Sequence, residues 1–437
     1  MLKPRELNFY RPNKPLSRIR IVWLTGAVII FGGLWVWTGP DYAKEVVIIN
    51  EPTLAATTEP TPAFTILDKI KEGKELLRKS PPLDYETKYY TVKRGVKIKT
   101  GDPVRKQIAL AILNKNTGEV FEKRIWVKEQ EIKNYKKTGV ISLATVSSAV
   151  SPDGLKVTWW NSFNSFYEFT DRPELIVVAN KYLFPSKYLA GLPEKSSGQF
   201  TDIIYAPYSK QLHLPEIIEA GKTYVDKNIE QAFAELEAAK VKSKFVSGAL
   251  VTDDINKDFI KNIMVIEHMD PDAFKTSSDG GRELSERVLT VIGANQEHAY
   301  RYTGSPAGAS GLAQFISSTY KNIAGKYPEA KLIRDYNAGM ANHVNAVKAM
   351  VLFFDAHKKD IAGRVARKDL VKSLGITEEM LAAAYNGGPS RVVSSVNKFG
   401  LAWISNQIAG TTKGNIFKKE TLDYIKKFRA VKNLNIF

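Results

Sequence analysis

Three stretches of the sequence combine residue types and spacings that could do chemistry. The first is Ser305-Pro306-Ala307-Gly308-Ala309-Ser310-Gly311-Leu312-Ala313-Gln314-Phe315. Gly308 and Gly311 allow positive φ and close backbone approach, as a loop that hugs a ligand requires. Gln314 adds an amide that both donates and accepts. The run suits a sugar-lined groove, and a flexible loop leading into a helix over 314–323 accounts for it as well. The second stretch is Ala384-Tyr385-Asn386-Gly387-Gly388-Pro389-Ser390-Arg391-Val392, where an apolar helix breaks at two glycines, ordinary helix-stop composition. The third is Glu420-Thr421-Leu422-Asp423-Tyr424-Ile425. Two glutamates precede them. Glu267 ends a helix expected over 258–267, with Phe259, Ile263 and Ile266 on one face. Glu297 stands shortly before Ser305, behind Gly293-Ala294-Asn295, which reads as a helix stop. Taken singly, each glutamate reads as a solvated surface residue.

Together and in this order, the three stretches resemble the SLT-type family of soluble lytic transglycosylases, which cleave peptidoglycan. That family carries Ser-x-x-Gly-Ala-x-Gly-Leu-x-Gln, Ala-Tyr-Asn-Gly-Gly-like and Glu-Thr-x-x-Tyr segments, and the resemblance covers only the C-terminal part of the chain. It implies a lysozyme-like, mainly α-helical C-terminal domain and one catalytic glutamate. Glu267, followed by Asp270-Pro271 and Ala273, resembles a shortened form of the family's helix-ending glutamate. His268 replaces the usual Ser, the Pro comes one residue early, and an insertion separates this segment from Ser305. Glu297 lies nearer the family spacing but lacks the long apolar helix, and stands as the alternative to Glu267. Ala313 replaces the usual Met, which implies a looser groove floor. The resemblance further implies that Tyr385 hydrogen-bonds and orients the glutamate and that Asn386 contacts an N-acetyl sugar. Gln314 and the Gly311-Leu312 backbone would form the groove floor, with Ser305 opening that segment. Tyr300 and Tyr302 suit sugar rings or plain packing.

A glycosidic oxygen is a poor leaving group, so a glutamate kept protonated by an apolar pocket must give it a proton. Two-carboxylate glycosidases then use a second acid on the other face of the sugar. The resemblance implies another course, in which the muramic acid 6-hydroxyl attacks its own anomeric carbon and the same glutamate acts as base. A 1,6-anhydro product results, and the tethered nucleophile brings a large effective concentration. Two alternatives stand beside this reading. One is a lysozyme-type hydrolase, with Asp270, Asp272 or Asp335 as the second carboxylate. The other is a non-catalytic peptidoglycan-binding assembly protein.

Other chemistries find little footing. The chain has no cysteine, which excludes disulfides, thiolate metal sites and cysteine peptidases. Its histidines, His213, His268, His298, His343 and His357, show no paired metal spacing, and Ser305 and Ser310 lack a nucleophile elbow. No cofactor is expected.

The elements that must position these residues are read from pattern. The 437 residues are 44% apolar with a formal charge of +17, enough for two or three domains and suited to an anionic partner. Residues 1–20 hold Lys3, Arg5, Arg11, Lys14, Arg18 and Arg20 against Glu6, and 21–40 carry no charge. At 1.5 Å per residue the latter would span ~30 Å, which predicts a transmembrane helix with a cytoplasmic N-terminus; a cleavable signal peptide is the alternative. Residues past 40 then lie outside the cytoplasm at the cell (inner) membrane, which makes the partners peptidoglycan strands and the membrane, with no nucleic acid. A Thr/Pro-rich linker with a short helix over 66–78 is expected over 41–88. A β-rich domain follows over 89–213, open to envelope-assembly partners, with hairpin turns at 114–118 and 152–154. Its aromatic cluster, Trp159, Trp160, Phe163, Phe166, Tyr167 and Phe169, reads as core or as a sugar-stacking platform. A connecting helix lies within 214–251, and the catalytic domain occupies 252–437. The expected class is α+β, opened by the single transmembrane helix.

Overall fold

The computed structural model describes residues 64–128, 154–169, 171–192, 198–305, 307–409 and 415–437. Its first part is antiparallel β-structure with one helix. Helix α1 (Ile66–Lys79) is followed by β1 (Tyr85–Lys93), β2 (Val96–Asn114), β3 (Val120–Lys128), β4 (Leu155–Trp159), β5 (Phe166–Phe169), β6 (Leu175–Pro185) and β7 (Phe200–Tyr205). β2 is the organising strand. Its inner half lies between β3 and β6, and β7 extends the sheet beyond β6. Its outer half pairs with β1. The expected turn at 114–118 is the β2–β3 connection, and β4 pairs with β5 as a separate hairpin.

Alternation along β2 divides the sheet's two faces, as period two requires. Ala109, Ala111 and Leu113 pack with Ile70 and Leu77 of α1. Ile108, Leu110 and Ile112 join the large core that continues into the helices.

The second part is helical: α2 (Pro215–Ala238), α3 (Lys257–His268), α4 (Pro271–Thr276), α5 (Arg282–Asn295), α6 (Ser317–Lys326), α7 (Tyr336–Ala341), α8 (His343–Arg364), α9 (Lys368–Leu374), α10 (Glu378–Gly387), α11 (Pro389–Phe399), α12 (Ser405–Ala409) and α13 (Lys419–Leu434). α8 is the central element. It is buried almost all round from His343 to Ala356, the mark of a helix enclosed by others. Its one buried carboxylate, Asp355, accepts from Lys244 N at 2.7 Å and from the Tyr327 hydroxyl at 2.6 Å.

The fold corrects several expectations. The sequence predicts a transmembrane helix over 21–40; that segment and the basic tail before it lie outside the described residues. Among those described, no helix is long and apolar enough to cross a membrane, so the fold class becomes α+β with a β-rich middle and a helical C-terminal part. The linker expected over 41–88 is described from residue 64, and from there its helix is α1, held on the sheet by the apolar stripe that includes Ile70 and Leu77. The helix expected as a connector is α2. It belongs to the helical body because Val225, Ile229, Phe233 and Leu236 face the common core. Trp160, Phe163, Tyr167 and Phe169 are buried, so these four aromatic residues are core and not a platform. Pro152 and Asp153, expected in a hairpin turn, lie outside the described residues.

The two parts are joined closely. Asn295, at the end of α5, accepts from Ala206 N and donates to Ala206 O, each at 2.8 Å. Phe163 meets Tyr302 edge-on. Within the helical part, α2 and α5 approach backbone to backbone, so that a Cβ on Gly221 would stand 2.1 Å from Leu289 O and one on Gly293 2.0 Å from Ile217 O. Gly221→Ala or Gly293→Ala should therefore force the helices apart and cost about 1–3 kcal/mol or more. Urea unfolding of each variant against wild type checks this; an unchanged midpoint would refute the close approach.

Candidate active site

α3 starts at Asn256, whose side chain accepts from Asp258 N. Its apolar residues Phe259, Ile260, Ile263, Met264 and Ile266 are fully buried, and this fixes the rotation of the helix. Glu267 thereby faces inward one residue before the helix ends. It is half-buried, and its Oε1 accepts a hydrogen bond from the Tyr424 hydroxyl at 2.6 Å. Three residues along α13, the Lys427 ammonium donates to Ile266 O at 2.8 Å and to Met269 O at 3.2 Å. Lys427 thus takes carbonyls that the end of α3 leaves unpaired.

Burial pushes the Glu267 carboxyl up from 4.5 to about 7, with a further upward push from the Glu420 charge; the Tyr424 hydrogen bond and the Lys427 charge act against the rise. Burial raises the phenols of Tyr385 and Tyr424 as well, and the Glu267 charge adds to both. Lys427 is lowered by burial, against the charges of Glu267, Asp270, Glu420 and Asp423.

The glycine-rich loop lies beside this carboxyl. His268 Nε2 is 2.9 Å from Leu312 O, and the imidazole stacks on Tyr300 with ring centres 3.6 Å apart and 16° between planes. Burial lowers His268 to about 3. Its ring is therefore neutral, with the proton on Nε2, since a carbonyl only accepts. The next carbonyl, Ala313 O, accepts from the Tyr385 hydroxyl. Two consecutive carbonyls of the loop are thus held by the α3 terminus and by α10. Gln314 sits at φ 50° and donates to Gly311 O at 2.7 Å. Gly311 has φ 70°, and a Cβ there would stand 2.5 Å from Met340 O. Ser305 Oγ accepts from Ala309 N at 3.0 Å and closes its own turn.

The three chemically suggestive stretches therefore meet. The first touches the second where Tyr385 bonds Ala313. The second touches the third where Asn386 Oδ1 accepts from Thr421 at 2.8 Å. The third reaches Glu267 through Tyr424. Tyr385 does not make the expected hydrogen bond to the glutamate. Its ring is fixed by Phe315, Phe353 and Phe354, which aim the hydroxyl at the loop, and Tyr424 supplies the bond instead. Asn386 and Ser305, expected to face substrate, use the atoms named above within the protein.

Glu297 is placed differently. It lies in the single turn Gln296–His298, its side chain is 61% exposed, and it pairs with His298 at 3.2 Å. Tyr300 and Tyr302 are buried and serve packing. Of the carboxylates weighed as a second acid, Asp270 caps α4 by accepting from Asp272 N and Ala273 N, Asp335 caps α7 by accepting from Ala338 N, and Asp272 pairs with Lys275. A recess of about 550 Å³ opens on another face of α13, beside Arg391, Phe417, Lys419, Leu422, Asp423 and Lys426, and Glu267 does not line it.

Comparison with known proteins adds no relative: no family model matches the chain, and no curated protein or solved structure matches it significantly.

The sequence assigns no part to Tyr424, Lys427 or His268 in holding the carboxyl and the loop. Tyr424 was within a recognised stretch, and Lys427 follows it at i+3 on the same helical face, so helical spacing was the available signal. His268 carried none.

Two predictions come from these contacts. Folding favours the protonated Glu267, so the associated stability is complete below about pH 4.5 and is lost as pH rises through 7. Against Glu267→Gln, wild type should lose on the order of 3 kcal/mol between pH 4 and pH 8. Urea unfolding at both pH values measures the difference, and a pH-independent gap would contradict the assignment. Lys427→Met removes the opposing positive charge and should move the Glu267 titration above 7, read by carboxyl carbon NMR.

Proposed function

We propose that this chain is a lytic transglycosylase that cleaves the β-1,4 bond between N-acetylmuramic acid and N-acetylglucosamine in peptidoglycan, with Glu267 as acid and then as base. The observation that carries this reading is a half-buried glutamate, pushed up to about 7 and held by Tyr424, at one end of a chain of hydrogen bonds that links the three glycan-enzyme-like stretches. A carboxyl in that range is protonated often enough to donate near neutral pH and ionised readily enough to take a proton back. Glu267 gives its proton to the glycosidic oxygen as the bond to the anomeric carbon breaks, and the N-acetylglucosamine side leaves as an alcohol. The muramic acid 6-hydroxyl then attacks that carbon and returns its proton to Glu267, so no water is consumed.

Glu420 supports a second reading. It is an exposed carboxylate on the first turn of α13 whose charge reaches Glu267, and a hydrolase would use such a group to direct water. Digests of purified peptidoglycan analysed by mass spectrometry separate the two. Products lighter by one water are expected from wild type and Glu297→Gln, with a loss of about 10²–10⁴-fold in Glu267→Gln. Reducing-end products abolished by Glu420→Gln would establish the hydrolase. Retained wall binding without any product would leave a non-catalytic assembly protein.

A further inference from the structure

The outer half of the β1–β2 hairpin serves nothing described so far. Beyond Pro103 the described partner of β2 is β1 alone, and the two strands run about 20 Å to their turn. The turn is Arg94-Gly95, both at positive φ, as a two-residue hairpin connection of the right twist needs. Every residue from Tyr90 to Ile98 is exposed. Among them are Val92 at 69%, Val96 at 63%, Ile98 at 42% and Tyr90 at 41%, large apolar groups on a two-stranded ribbon. Between Thr87 and Lys99 the chain has Lys88, Lys93, Arg94, Lys97 and Lys99 and no acid. Lys99 pairs with Asp84, and Lys97 lies over the Tyr90 ring at 4.2 Å.

The register decides what can cover this ribbon. Directly opposed residues share a face. Tyr90 and Val92 oppose Lys99 and Lys97, while Thr91 and Lys93 oppose Ile98 and Val96. Both faces therefore carry apolar groups, and both carry cations. A protein partner docked on one face would leave the other face's apolar groups in water. An anionic polymer would meet the cations and leave the valines uncovered. A lipid interface surrounds an inserted tip on every side, takes Val92 and Val96 among its acyl chains and meets Lys93, Arg94 and Lys97 with its phosphates.

We propose that the β1–β2 ribbon is a docking element for an anionic lipid bilayer surface, inserted by its tip. The ribbon lies in the β-rich part and stands independently of the glycan chemistry. Because the chain has no cysteine, Val92→Cys in the full-length protein takes a single environment-sensitive fluorophore, and Lys372→Cys on α9 serves as the control position. The label reports the ribbon itself, so vesicle capture by any other segment leaves its signal unchanged.

With vesicles containing phosphatidylglycerol, the Val92 label should shift to an apolar spectrum and be quenched by lipid-borne quenchers, whereas the Lys372 label should not. Replacing Lys93, Arg94 and Lys97 by Gln should weaken the response about fivefold per cation, or about a hundredfold together, and added salt should weaken it in the unsubstituted ribbon. A Val92 label that stays aqueous overturns the proposal. So does equal insertion into purely zwitterionic vesicles, or an apolar shift given by soluble wall glycan instead of lipid.

Discussion

The helical part of this protein is arranged around one carboxyl group that water only partly reaches. Moving Glu267 into that position disfavours its charge, and nothing in the site fully compensates, since the carboxyl remains well above its ordinary range despite Tyr424 and Lys427. The compromise follows from the packing. α3 buries nearly all its other late residues, so the last turn cannot rotate to expose the carboxyl without exposing Ile263 and Ile266. Lys427 is drawn in by carbonyls that the helix end leaves unpaired. One lysine therefore closes the helix and moderates the acid.

Around that carboxyl the polar contacts form a chain that leads back to their start. Glu267 meets Tyr424; Thr421, one turn earlier on α13, meets Asn386; its neighbour Tyr385 meets Ala313. Leu312 is then bonded by His268, the residue after the acid. Each link crosses between elements distant in sequence, and the aromatic groups of α8 lie beneath them. His268 suits its place because its imidazole is both neutral and flat. It donates one proton to the loop and stacks on Tyr300.

The same close packing ties the β-rich part to the helices. Asn295, at the end of α5, imitates a strand partner for Ala206, while two glycines let α2 and α5 touch along their backbones within the helical part. The sheet's core face and the helices consequently share one apolar interior. In contrast, the outer hairpin gives up burial altogether and leaves four large apolar side chains in water, which fits a surface held for contact.

Local chemistry was legible in the sequence. The hairpin turn at 114–118 with its Asn and Gly residues, the apolar stripes of α2 and α3 and the helix stop at Gly387-Gly388 each depend on neighbours a few residues away, and those forces act the same in any context. The three stretches and Glu267 were legible as residue types in order. Only the tertiary structure half-buried Glu267 and left Glu297 exposed, gave the Glu267 carboxyl its hydrogen bond to Tyr424 in place of Tyr385, and turned two expected connecting segments into packed members of the fold. Those outcomes rest on burial and on contacts between residues far apart in the chain, 157 positions for Tyr424 and Glu267. Desolvation belongs to the assembled surroundings of a group, and no spacing along the chain encodes it directly.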